Sequence, residues 1–240
     1  MPVLVLDLDE TFIVDTYREE LIDQREHSIH CRISAQLGNT TTEIGILNIE
    51  EIFEVIMAAD EVIILTAGSW SYDLIESIID SFVDEFNLDV DTETSLRKKF
   101  SKDRFFSPDT ESPLRNINRD NVEQDIEKTR HLPKADRLRF IINYLGLEEK
   151  KFVVLDDNIA HIDSFYNMEN VTAILATTLL LSQSEPASKS FYQQAINELS
   201  ISLEKNMVFP VKRSFFYYPE SEPIRKIGGE ARFRSILDYI

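Results

Sequence analysis

Three short, unbroken apolar runs, each ending in a polar side chain, constrain this chain more than any other feature of it. They are Val3-Leu4-Val5-Leu6 before Asp7, Val62-Ile63-Ile64-Leu65 before Thr66, and Phe152-Val153-Val154-Leu155 before Asp156-Asp157. Four apolar residues with no polar interruption suit a strand buried on both faces, as in a parallel sheet covered by helices. Between them, Leu74, Ile75, Ile78, Ile79, Phe82, Val83 and Phe86 recur at helical spacing. Residues 134–145 read as a further helix, with Pro133 before it and Lys134 at its head. Strands alternating with helices predict an α/β fold built on a doubly wound parallel sheet. Such sheets place their ligands beyond the C-terminal ends of the strands, where these polar residues fall. Asp7 and Asp9 stand an even step apart, so on a continued strand they would begin on one face.

At 240 residues and 43% hydrophobic content the chain suffices for one such domain with decoration. No apolar run approaches the ~20 residues of a membrane-spanning helix, and the run at 171–181 carries three threonines and reads as another strand. The first strand starts almost at once with no basic region ahead of it, which predicts a cytoplasmic protein without a cleaved signal; delivery into a host cell is a lesser alternative. A single cysteine, Cys31, excludes an internal disulfide and suits a reducing compartment. The formal net charge of −18 argues against a nucleic-acid partner.

The chain divides into residues 1–205, which carry the strands and motifs, and a C-terminal extension, 206–240. From Lys205 onward, Lys205, Lys212, Arg213, Arg225, Lys226, Arg232 and Arg234 outnumber Glu220, Glu222, Glu230 and Asp238. With Phe215-Phe216-Tyr217-Tyr218, they make the extension either a surface for docking a protein or an anionic membrane, or a segment that completes the core. Within the first part, residues 12–47 read as a hairpin or small flap, with a turn at Asn39-Thr40-Thr41-Thr42. Asn48 with Glu51 resembles a capping box opening a helix to about Ala59, and Ser69 or Ser71 could cap the helix after the second strand. Residues 87–132 read as an insertion or lid that also supplies a strand at Phe105-Phe106. Residues 188–205 read as an amphipathic closing helix.

Taken together, Asp7-Leu8-Asp9-Glu10-Thr11, Thr66-Ala67-Gly68, Lys134 and Asp156-Asp157 resemble, in order and on the right elements, the four motifs of haloacid dehalogenase (HAD) superfamily phosphatases. The Asp-Leu-Asp-Glu-Thr form and the spacing from Thr66 to Tyr72 are similar to protein phosphatases related to the RNA polymerase II C-terminal-domain phosphatases. The resemblance implies a Rossmann-like HAD core with small cap or flap insertions, covering roughly residues 1–180. It implies Mg²⁺ held by Asp7, the backbone carbonyl of Asp9, and Asp156 or Asp157, with Asp157 favoured as the direct ligand. It implies Asp7 as nucleophile, Asp9 as general acid and base, Thr66 and the amide of Ala67 as phosphate contacts, and Lys134 as the neutralising cation. Trp70 and Tyr72 either flank an aromatic phosphoester or pack against the sheet. His161 and Asp163 either line the site or lie on a helix surface. The expected function is hydrolysis of a phosphoprotein, with phosphotyrosine favoured. A small-molecule (sugar or nucleotide) phosphatase and a non-catalytic binding domain are the alternatives.

Overall fold

The computed structural model describes residues 2–15, 29–37, 40–107, 132–176 and 190–200. Its centre is a five-stranded, all-parallel sheet of β1 (Val3–Leu6), β5 (Glu61–Leu65), β6 (Phe105–Phe106), β7 (Phe152–Asp156) and β8 (Val171–Leu175), in the order β6-β5-β1-β7-β8. The three apolar runs are its three central strands. From β1 the chain builds outward to β5 and β6, then crosses back to β7 and β8. This reversal makes the tip of β1 and β7 a topological switch point, the place where open α/β sheets bind their ligands.

Period-two alternation divides the core into two layers. Leu4, Leu6, Val62, Ile64, Val153 and Leu155 face one side, with α1 (Ile49–Ala58), α2 (Asp73–Phe86) and α6 (Ser190–Ser200). Val3, Val5, Ile63, Leu65, Phe152 and Val154 face the other, against Ala135, Leu138 and Ile141 of α4 (Lys134–Leu145). Each of these apolar side chains contributes roughly 1.5–3 kcal/mol on burial, so an unbroken apolar strand is what a sheet covered on both faces demands. α4 ends at Gly146, whose φ of 64° lets its N–H turn back to the Asn143 and Ile142 carbonyls.

The segment expected as a flap is a three-stranded antiparallel sheet, β2 (Ile13–Asp15), β3 (Ile29–Leu37) and β4 (Thr40–Leu47), in the order β2-β4-β3. Thr40, Thr41 and Thr42 therefore pair within a strand and do not form the turn. Ala35, Ile44 and Ile46 are buried in the same apolar cluster as Phe12 and Phe82, so this small sheet is part of the main core.

The helix expected after Asn48 is present as Ile49–Ala58, but Asn48 does not cap it through its side chain. Asn48 adopts a left-handed φ of 46° with no side-chain cap, and its Nδ2 donates instead to the Tyr192 hydroxyl on α6, 3.2 Å away. Neither Ser69 nor Ser71 caps α2. That helix starts at Asp73 behind an uncapped Tyr72, and the Ser71 hydroxyl is buried without a hydrogen-bond partner.

Within the expected insertion, residues 90–99 form a helix, α3 (Val90–Lys99), capped by Asp89 accepting from the Thr92 N–H. At its end Lys99 donates to the carbonyls of Ile56, Met57 and Ala59, satisfying the C-terminus of α1. Residues 108–131 and the extension 206–240 lie outside the described residues, and with them the lid reading there and the docking and core-completing readings of the extension. Among the described residues, no helix is long and apolar enough to cross a membrane.

Candidate functional site

Strand β1 ends at Leu6, and the chain then coils tightly. Phe12 and Ile13 both donate backbone N–H groups to the Leu8 carbonyl, and Glu10 takes a left-handed φ of 60°. The coil separates the two carboxylates that a continued strand would keep on one face. Asp7 faces the tip of β7, whereas Asp9 faces the tip of β5.

On the β7 side, Lys134 Nζ sits 2.6 Å from Asp7 Oδ1 and 2.6 Å from Asp156 Oδ2. All three residues are buried, at 3%, 6% and 1% exposure. Pro133 precedes α4, whose first residue reaches the tips of β1 and β7, so one ammonium bridges carboxylates from two neighbouring strands. Asp156 is fully engaged: Oδ1 accepts from the Asn158 N–H at 2.9 Å, and His161 Nδ1 stands 3.1 and 3.2 Å from its two oxygens. Asp157 is only partly buried and has fewer partners. The Thr11 hydroxyl lies between it and Asp7, 3.5 Å from Asp157 Oδ1 and 3.4 Å from Asp7 Oδ2. Oxygens of Asp7, Asp156 and Asp157 all fall within 4.8 Å of one another, a cluster that could hold a metal ion. An all-carboxylate donor set suits a hard cation such as Mg²⁺.

Burial pushes Asp7 up to about 7, with Asp156 adding to the rise and Lys134 opposing it. Asp157 is pushed up to about 6 by burial and by Asp156 beside it. Burial also acts to raise Asp156, but hydrogen bonds from His161 and Lys134 outweigh it and hold that carboxyl below its ordinary value.

A pH dependence follows. A carboxyl raised in the fold takes up a proton on folding, so its contribution to stability is complete below the unfolded value near 3.8 and is lost as pH rises through about 7. The metal-free protein should therefore melt at a higher temperature at pH 6 than at pH 8. Saturating Mg²⁺ should flatten that slope. Calorimetric melts across this range check it; an identical slope with and without Mg²⁺ would contradict a cation bound at these carboxylates.

On the β5 side, Asp9 is clasped at both oxygens. Thr66 Oγ1 donates to Oδ2 at 3.0 Å, and Trp70 Nε1 donates to Oδ1 at 2.9 Å. The Thr66 hydroxyl accepts in turn from the Gly68 N–H at 3.0 Å. Gly68 is required by space: a Cβ there would lie 2.5 Å from Asp9 Oδ2 and 2.5 Å from Trp70 Nε1. Ala67 lies exposed at the strand tip.

Of the two readings of Trp70, the structure bears out packing. The residue is 2% exposed, so its ring does not line an open mouth, and its role in the fold is the contact with Asp9. Tyr72 packs edge-on against Phe105, and its hydroxyl donates to the Phe100 carbonyl at 2.5 Å. Of the pair after motif four, both on α5 (Ile159–Ser164), His161 reaches Asp156, while Asp163 is exposed.

Two further residues escaped the sequence reading. Thr11 was visible as the last residue of the first motif, yet its place between Asp7 and Asp157 depends on the coil at Leu8. Arg137, one turn after Lys134, is 7% exposed and donates from a terminal nitrogen to the Thr66 carbonyl at 3.2 Å. Burial draws it down to about 10, while Asp7 opposes the shift. Its i, i+3 spacing from Lys134 places both on one helix face and was the available signal. No protein-family model matches the chain, and no curated protein sequence matches it.

Proposed function

We propose that this protein is a Mg²⁺-dependent phosphatase that hydrolyses phosphomonoesters through a phosphorylated Asp7. The observation that carries this reading is the Lys134 bridge between Asp7 and Asp156, with Asp157 alongside, at the C-terminal tips of two parallel strands. The second carboxylate, Asp9, held nearby by Thr66 and Trp70, is what separates a phosphatase from a general cation site. Together with the motif order, these favour a HAD-type enzyme over a non-catalytic binding domain.

Asp7 and Asp157, with the backbone carbonyl of Asp9, would hold the cation. Asp157 suits direct ligation better than Asp156, whose oxygens are already engaged. A cation bound there would offset charge between an anionic nucleophile and an anionic phosphate. Asp7 Oδ attacks phosphorus as the ester P–O bond breaks, and the departing oxygen takes its proton from Asp9. Ionised Asp9 then withdraws a proton from the water that cleaves the Asp7 acyl phosphate. Lys134 holds Asp7 in place and neutralises the nucleophile and the transferring group.

A phosphoprotein is the favoured substrate, because among the described residues the strands of the insertion after β1 are built into the core. With Trp70 buried and Tyr72 packed on Phe105, the preference for phosphotyrosine loses the two rings it rested on. The test is phosphate release from phosphotyrosine, phosphoserine and phosphothreonine peptides against sugar and nucleotide phosphates, with Mg²⁺ and with EDTA. Peptides should lead by at least about tenfold in specificity constant, roughly 1.4 kcal/mol, and EDTA should abolish turnover. A lead for the small esters would transfer the assignment to a small-molecule phosphatase.

A further inference from the structure

We propose that Trp70 is a positioning residue whose indole N–H keeps the Asp9 carboxyl in place while the Thr66 hydroxyl passes from Asp9 to the substrate. The proposal rests on the phosphatase reading and extends it to a residue outside the four motifs. Its basis is a count of protons. Thr66 Oγ1 carries one hydrogen, directed at Asp9 Oδ2, and its acceptor side already receives the Gly68 N–H. To donate to a phosphate oxygen, Thr66 must release Asp9. The oxygen so freed, Oδ2, can then carry the proton that the leaving group requires.

Without a second anchor, Asp9 would lose its orientation at the moment it must transfer that proton. Trp70 Nε1, 2.9 Å from Oδ1, is such an anchor, and an indole N–H can only donate. The anchor is itself fixed: the Trp70 carbonyl accepts from buried Ser107 at 2.9 Å beyond the end of β6, and the missing Cβ of Gly68 admits the ring. The arrangement therefore pairs one exchangeable donor with one permanent donor on the same carboxylate.

The experiment compares Trp70→Phe with wild type on phenyl phosphate and p-nitrophenyl phosphate at saturating Mg²⁺. The two esters are alike in shape, but only the poorer leaving group, phenol, depends strongly on an acid. In the variant, kcat/KM for phenyl phosphate should fall at least about tenfold further than for p-nitrophenyl phosphate, the scale expected for one hydrogen bond to a charged group. An equal fall on both esters, or none, would overturn the proposal, since a packing defect does not distinguish leaving groups.

Trp70 is the sole tryptophan of the chain, so its single indole ¹H–¹⁵N resonance gives a second measurement on the wild-type protein even if Trp70→Phe does not fold. That resonance should shift and lose protection from exchange in Asp9→Ala; an unmoved resonance refutes the contact. If wild type turns over neither ester while the resonance responds, the phosphatase reading fails and the Trp70–Asp9 contact stands.

Discussion

Asp7→Asn should lower turnover by about four decades or more, the equivalent of roughly 5.5 kcal/mol in barrier height at 1.36 kcal/mol per decade. The substitution retains the shape of the side chain and an oxygen for Lys134 to donate to, but removes the charged nucleophile. A collapse of the fold would give the same loss, so stability must be measured beside activity. Here the two should part. Asp7 is a buried carboxyl next to Asp156 and Asp157, and its elevated pKa marks an ionised form that the fold tolerates poorly without a cation. Neutral Asn should leave the metal-free protein at least as stable as wild type at pH 8, and should weaken Mg²⁺ binding. Beryllium fluoride, an acyl-phosphate mimic, should bind to wild type and not to the variant. Retention of more than about a tenth of wild-type turnover would remove Asp7 from the role of nucleophile.

How much of this was legible in the sequence depended on whether burial or tertiary contact set the local pattern. β1, β5 and β7 are covered on both faces, so their composition alone announces them, and α2 shows its buried stripe at Leu74, Ile75, Ile78, Ile79 and Phe82. Lys134 was legible because it follows a proline and heads a helix leading into an acid-tipped strand. By contrast α3 buries only Leu96, and no apolar period betrays it. Asn48 and Glu51 imitate a capping box, yet the hydrogen bond from Asn48 to Tyr192, 144 residues away, joins α1 to α6. Sequence spacing carries no information about such a partner. The same limit hid the clasp on Asp9. Trp70 looked like a candidate for stacking on a substrate. Its inward direction follows from the coil at Leu8 and the space left by Gly68, both three-dimensional facts.

The buried cation should matter for both stability and turnover, which makes Lys134→Met the most demanding second substitution. Methionine fills the aliphatic stem but leaves Asp7 and Asp156 facing one another with no positive charge between them. Removing one member of a buried ion pair costs about 3–5 kcal/mol, because the remaining charges stay in a poor solvent. The loss should be largest at pH 8 without metal. It should shrink at pH 6, where Asp7 can take up a proton, and again in saturating Mg²⁺. Arginine should not rescue the site, since its broad planar head cannot replace a compact ammonium held 2.6 Å from two carboxylates. With the fold restored by Mg²⁺, turnover should still stand about 10²–10³-fold below wild type, the scale for deleting one preorganised electrostatic partner of the transition state. Denaturant titrations and kcat measurements on the same preparation separate the two effects. A variant as stable as wild type in EDTA, with more than about a tenth of its turnover, would show that Lys134 does not hold Asp7 and Asp156 together, and the site would need another source of positive charge.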